Sequence, residues 1–268
     1  MASFEERVEA AAAAGYVGLG FLDTDLAAIT DRAQWPYRAI RRRLEQSGLD
    51  FVELEVLTNW FASGEERKAS DSTRAQLLEA ATELGANHIK VVGDFTDICP
   101  VSKMADSFAA LCEDAAKAGT TIAIELTPLT NLSSPEQGLD LIRASSASNA
   151  GLLLDVWQIG RANICFESLA AIPSELIVGV ELSDADAQVR GSLMEDTMRH
   201  RRLPGEGVLE PARLVAAVHE AGYRNPYGIE IISDAHRALP VREQARVAIA
   251  SAREQIRLAD RHIAERAR

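Results

Sequence analysis

Four carboxylates in this chain each stand in, or at the end of, a short apolar run. IAIEL carries Glu125, LLLD ends at Asp155, IVGVEL carries Glu181 and GIEII carries Glu230. An acid at the C-terminal end of a buried strand does not serve packing, and four of them suggest convergence on one point. Like charges gathered in this way repel unless a cation or shared protons neutralise them. Four hard oxygen donors suit Mn²⁺ or Mg²⁺ better than zinc. The plain alternative is that one or two of them pair with arginines at a domain rim. Glu181 opens the longest polar stretch, which runs on through HRRLPGEG (200–207).

The strands that would position these acids follow a regular beat of amphipathic helix, glycine and short apolar run. Helices are expected to stop near Gly15, Gly48, Gly85, Gly119 and Gly222, because glycine reaches the positive φ of a helix C-terminus cheaply. The expected strands are 16–22, 49–57, 87–93, 120–126, 151–156, 176–182 and 227–232. Between them, Leu77, Leu78, Ala81 and Leu84 share one helical face, as do Met104, Phe108, Leu111 and Ala115. Ser134-Pro135 reads as an N-cap with proline at the first helical position, and a last helix is expected over about 241–266. This alternation predicts an α/β fold with a parallel sheet wrapped in helices. A doubly wound sheet and a TIM (β/α)8-type barrel both fit, and acids at many strand C-termini favour the barrel. Neither GxGxxG nor GxxxxGK[ST] is present, which removes the main support for nucleotide folds. Seven strands are counted where a standard barrel has eight; the missing one would precede Phe4, so the first strand is absent or irregular. One domain over 1–268 is expected. Its longest irregular regions are 58–72, 95–101, 128–135 and 183–209, all following strand ends.

Composition bounds the partners. The 268 residues are 47% hydrophobic and 25% charged, with a formal net charge of −12. A sequence pI near 5.0 disfavours nucleic acid or an anionic membrane as partner. Three scattered cysteines form no CxxC pair, and no apolar run approaches membrane-spanning length. The N-terminus has no secretory pattern, and a cytoplasmic location is expected.

Further residues could meet a substrate. Arg201 suits a clamp on a carboxylate, phosphate or hydroxyl pair, and Thr197 shares its face if that segment is helical. Arg161 and Arg190 are weaker candidates, and Glu206 could simply hold its turn. Trp60 and Trp157 follow strand ends and could stack on a cyclic substrate, or merely form a hydrophobic lid. His88, at the start of its strand, reads as structural; the facing of Lys90 is open from sequence.

In the order and spacing of IAIEL, LLLDVWQIGR, HRRLPGEG and YGIEIIS, the chain resembles the xylose isomerase-like TIM barrels. That is the sugar phosphate isomerase/epimerase superfamily, which also holds inosose dehydratase and 3-dehydroshikimate dehydratase. The resemblance spans nearly the whole chain apart from the first strand. It implies that Glu125, Asp155, Glu181 and Glu230 bind one divalent metal, and that Glu125 and Glu230 move the proton. Two positions depart from it. Position 181, usually His and sometimes Gln, is Glu181. The usual His three residues after the strand-end Asp is Gln158, which takes no proton at neutral pH. Gln158 is thus read as substrate-binding; His200 is the nearest candidate by sequence context to replace the base and meet the substrate, and a solvated loop histidine is an equal reading of it. The histidine-rich zinc cluster of endonuclease IV is not matched by the five histidines here. The expected activity is metal-dependent isomerisation or epimerisation of a small polyhydroxylated carbonyl compound through a metal-bound enediolate. Dehydration of the inosose or 3-dehydroshikimate type is the alternative, and an inactive barrel with a binding role is the second alternative. A sugar-like small molecule is the expected partner, and homo-oligomerisation is a family-level expectation.

Overall fold

A computed structural model describes residues 2–96 and 99–266. The chain divides into two compact units, Met1–Leu152 and Leu153–Arg268. In the first, α1 (Phe4–Ala14) starts at a capping box between Ser3 and Glu6 and ends at Gly15, whose φ is 87°. There follow β1 (Gly18–Leu22), α2 (Asp23–Ala27) running into a π-helical turn over Ala28–Arg32, and α3 (Tyr37–Gln46). Next come β2 (Phe51–Leu57), α4 (Gly64–Leu84), β3 (His88–Val91), α5 (Val101–Lys117) and β4 (Thr121–Glu125). The unit closes with α6 (Pro135–Ser145), opened by Ser134 and Pro135 as expected. The boundary between the units falls inside β5 (Ala150–Asp155).

Strands β1 to β4 pair in chain order, all parallel. Because side chains alternate across a sheet, each strand has two characters. Phe21, Val52, Leu54, Ile89, Val91, Ile122 and Ile124 are buried apolar residues of one face, against which α4 and α5 lie. Leu77, Ala81 and Leu84 of α4, and Met104, Phe108, Leu111 and Ala115 of α5, are buried as their spacing predicts.

The second unit runs α7 (Val156–Arg161), α8 (Phe166–Leu169), β6 (Ile177–Leu182), α9 (Leu193–Arg199) and α10 (Pro211–Ala221). It ends with β7 (Gly228–Ile229), α11 (Asp234–Arg237) and α12 (Val241–Arg266). Strands β6 and β7 are parallel, with Glu181 opposite Gly228. Helices α10 and α12 pack together, and Ala248, Ala252 and Ala259 are buried along α12.

Three expectations are corrected. The last strand is far shorter than 227–232, and Glu230 lies just beyond it, its N–H donating to Leu182 O at 3.2 Å. The expected loop 58–72 gives way to helix from Gly64 onward, and the loop 183–209 contains α9. Within the expected loop 95–101, residues 97–98 lie outside the described residues. Among the described residues no helix is long and apolar enough to cross a membrane.

Candidate active site

In the second unit one carboxylate oxygen from each of Asp155, Glu181 and Glu230 lies within 4.8 Å of the others. Asp155 ends β5 and is wholly buried; Glu181, in β6, is 5% exposed. Glu181 lies over Gly228, where a Cβ would meet Glu181 Cγ at 2.9 Å. A larger residue at 228 would therefore push this carboxylate aside.

Arg201 joins two of these acids. Its Nη1 lies 2.5 Å from Asp155 Oδ2 and 2.8 Å from Glu230 Oε2. Thr197 Oγ1 accepts from Arg201 Nε and Nη2 at 3.2 and 2.9 Å, so the hydroxyl orients the guanidinium fork. The other Asp155 oxygen accepts from the Trp157 backbone N–H at 2.6 Å, capping α7. Hard oxygen donors at this spacing fit Mn²⁺, Mg²⁺ or a similar ion.

A further acid holds this arrangement and was not singled out from sequence. Asp196 of α9 is 1% exposed. Its Oδ2 accepts from Trp157 Nε1 at 3.1 Å and from Arg161 Nε and Nη2 at 3.0 and 2.8 Å. Its Oδ1 accepts from the Arg190 N–H at 2.9 Å. Arg161 and Arg201 lie 5.7 and 5.4 Å from the Trp157 ring centroid. Asp196 thus ties α9, which carries Thr197, to the helix beside Asp155. Asp184 does similar work for the HRRLPGEG loop. It accepts from the backbone N–H groups of Gly205 and Leu209 at 2.9 and 2.8 Å, and a Cβ at Gly207 would come within 2.1 Å of Ala185 O.

In the first unit Glu125 closes β4 and is 7% exposed. The strand-end reading of this acid holds.

A family model described as a xylose isomerase-like TIM barrel matches residues 8–255. The chain belongs to that family. Its fold is accordingly the TIM-barrel type expected from sequence. A curated relative, 3-dehydroshikimate dehydratase of Pseudomonas aeruginosa, is 28% identical over 244 residues, covering 90% of this chain but 38% of its own length. A second, from Pseudomonas putida, is 25% identical over the same span. The chain therefore spans well under half the length of the curated relatives it matches. Among solved structures, a xylose isomerase-like TIM barrel/4-hydroxyphenylpyruvate dioxygenase fusion protein superposes with TM-score 0.88 at 21% identity, over 99% of this chain and 43% of its own. IolI, described with a bound zinc atom, gives TM-score 0.85 at 17% identity, over 95% and 93% of the two chains.

Against the family pattern, the remaining expected residues fall into two groups. Gln158, one helical turn after Asp155, is buried, as are Thr197 and Arg201. His200 is half-buried and bridges its backbone to Ser233. The two tryptophans are corrected. Trp60 is 1% exposed, donates to Val92 O at 2.8 Å and packs on Phe61 and Phe108. Trp157 is wholly buried beneath two guanidiniums. Neither leaves a face for a sugar ring. Arg161 is bound to Asp196, and Arg190 pairs with Asp186. Glu206 is exposed at the turn, where its carbonyl accepts from Arg202.

Proposed function

We propose that the chain is a metal-dependent dehydratase acting on a small polyhydroxylated cyclic ketone of the 3-dehydroshikimate type. The observation that carries the metal dependence is the gathering of carboxylate oxygens of Asp155, Glu181 and Glu230 within 4.8 Å of one another. Glu125 is proposed as the fourth carboxylate of this centre, as the family pattern implies. The choice of dehydration is supported by the shared name of the two curated relatives.

Bound there, a divalent ion would polarise the substrate carbonyl and make the neighbouring C–H more acidic. Glu125 or Glu230 removes that proton. Arg201, fixed by Thr197 and Asp155, donates to a substrate oxygen and holds the ring in register. A carboxylic acid then returns a proton to the departing β-hydroxyl, so one proton is taken, one is given, and water leaves. Gln158 contributes hydrogen bonds rather than proton transfer.

Isomerisation or epimerisation begins with the same proton removal and differs only in returning the proton to carbon. Incubation with 3-dehydroshikimate and with ketoses, followed by product analysis, separates the outcomes. Dehydration predicts loss of one water from 3-dehydroshikimate and no proton exchange product from ketoses. Turnover of the ketose alone would replace this reading with the isomerase one. If neither turns over and Glu230→Gln leaves every function of the protein intact, the chain is a binding barrel.

A further inference from the structure

Among the described residues two buried hydroxyls, Thr120 Oγ1 and Ser183 Oγ, have no hydrogen-bond partner. Buried polar groups are ordinarily paired, as Lys90 is with Glu55 and Glu53 at 2.8 and 3.4 Å between β3 and β2. Thr120 precedes β4, at the strand end away from Glu125, and carries nothing towards the site. Ser183 directly follows β6, two residues after Glu181, and is wholly buried.

The backbone of the second unit fixes where Ser183 stands. Glu181 pairs with Gly228 and Leu182 with Ile229, and the Glu230 N–H donates to Leu182 O at 3.2 Å. Continued by one residue, this register sets Ser183 beside Glu230, about 4.8 Å away between Cα atoms. Asp184 then exchanges both backbone hydrogen bonds with Arg202, at 2.9 and 2.7 Å, so the chain stays extended through Ser183. Alternation therefore puts Ser183 on the face of Glu181, Gly228 and Glu230. Asp184 turns to the other face, where it holds the Gly205 and Leu209 N–H groups. Glu181 and Glu230 are two acids of the candidate centre, and solvent reaches this face at Glu230, whose side chain is 21% exposed.

A buried hydroxyl without a partner costs folding free energy that an alanine would not. Its single O–H both donates and accepts, which matches a group that does the same, a hydroxyl of a polyhydroxylated compound.

We infer that Ser183 is a substrate-binding residue, whose hydroxyl bonds a hydroxyl of the substrate held beside Glu230. This rests on the proposed reading of Asp155, Glu181 and Glu230 as the reaction centre. Ser183 thus weakens the free protein and strengthens the complex, a reversal of sign that a packing role does not produce. The test compares wild type with Ser183→Ala. Thermal unfolding is measured without ligand, and calorimetry follows Mn²⁺ and then 3-dehydroshikimate and D-fructose added to the Mn²⁺-loaded chain. The expected variant has an equal or higher Tm and an Mn²⁺ affinity within twofold of wild type. Its affinity for whichever probe wild type binds falls about three- to tenfold. A lower Tm, or failure to fold, means that the hydroxyl is already paired in the free protein, directly or through water, and overturns the inference. Mn²⁺ affinity that falls by more than twofold places the hydroxyl at the metal instead and overturns it too. Probe affinity reduced by less than threefold overturns the inference alone, leaving the reaction centre standing. Wild type that binds Mn²⁺ but neither probe overturns the proposed substrate class together with it, and wild type that takes up no Mn²⁺ overturns the centre itself.

Discussion

Replacing Asp196 with alanine is expected to be among the most damaging single changes in the second unit. The side chains of Arg161 and Asp196 are 8% and 2% exposed and lie 2.8 Å apart. Asp196 also accepts the indole N–H of Trp157 and the Arg190 backbone N–H. Alanine would leave a guanidinium buried without its carboxylate and an indole N–H without its acceptor. Breaking a buried pair from one side costs about 3–5 kcal/mol. For a chain of this size that is a fall in Tm of roughly 6–20 °C. Asp196→Asn keeps an acceptor of the same shape and gives up only the charge, so it is expected to cost about 1–3 kcal/mol. The double variant Asp196→Ala, Arg161→Met removes the orphaned charge and is expected to recover much of the loss, an interaction of the kind double-mutant cycles resolve. Thermal and urea unfolding of wild type, these three variants and Arg161→Met alone, followed by circular dichroism, supply the numbers. If Asp196→Ala costs under about 1 kcal/mol, or the double variant is the sum of its singles, the pair is not what anchors α9.

Other predictions concern the site and the surface. Arg201→Met removes the cation beside Asp155 and Glu230, so Mn²⁺ affinity by calorimetry is expected to hold or rise while turnover falls by about 100-fold or more; weaker Mn²⁺ binding would contradict the reading of Arg201 as a cation that competes with the metal for these two acids. The Glu167 carboxyl is held down at about 2 from its usual 4.5, first by a hydrogen bond from the Cys165 thiol and then by Arg213. The unfolded chain thus takes up this proton at higher pH than the folded one. The stability it lends is complete above pH 4.5 and is lost as pH falls towards 2; in Glu167→Gln the acid limb of stability against pH is expected to flatten over that window. Burial pushes the Cys112 thiol up to about 12, whereas Cys165 is exposed. Alkylation near neutral pH followed by mass spectrometry is expected to label Cys165 in the native protein and Cys112 only after unfolding.

Much of this was legible in the chain because it is written locally. Seven apolar runs correspond to the seven strands among the described residues, and Gly15, Gly85 and Gly222 close helices in the left-handed region. The strand-end acids and Arg201 with Thr197 could be read because strand position and helical spacing are short-range signals. Asp196 could not: within MEDTMR it looks like an acid on a solvated face, and its partner Arg161 lies 35 residues away. Asp184 was one of several acids in a polar loop, and only the folded loop shows that it holds Gly205 and Leu209. The facing of Lys90 needed the register between β2 and β3, which a sequence does not carry. The tryptophans misled for the opposite reason. Position after a strand end suggested access, but large aromatic rings contribute most when buried, and both rings are.

The account stands most directly on metal binding. Metal content by elemental analysis, with Mn²⁺ titration by calorimetry, is to be measured on wild type and on Glu230→Gln and Asp155→Asn. One divalent ion per chain in wild type, lost or weakened by at least about tenfold in both variants, is the predicted result. A wild-type protein that purifies without metal, takes up neither Mn²⁺ nor Mg²⁺, and melts at the same temperature with and without them would contradict it.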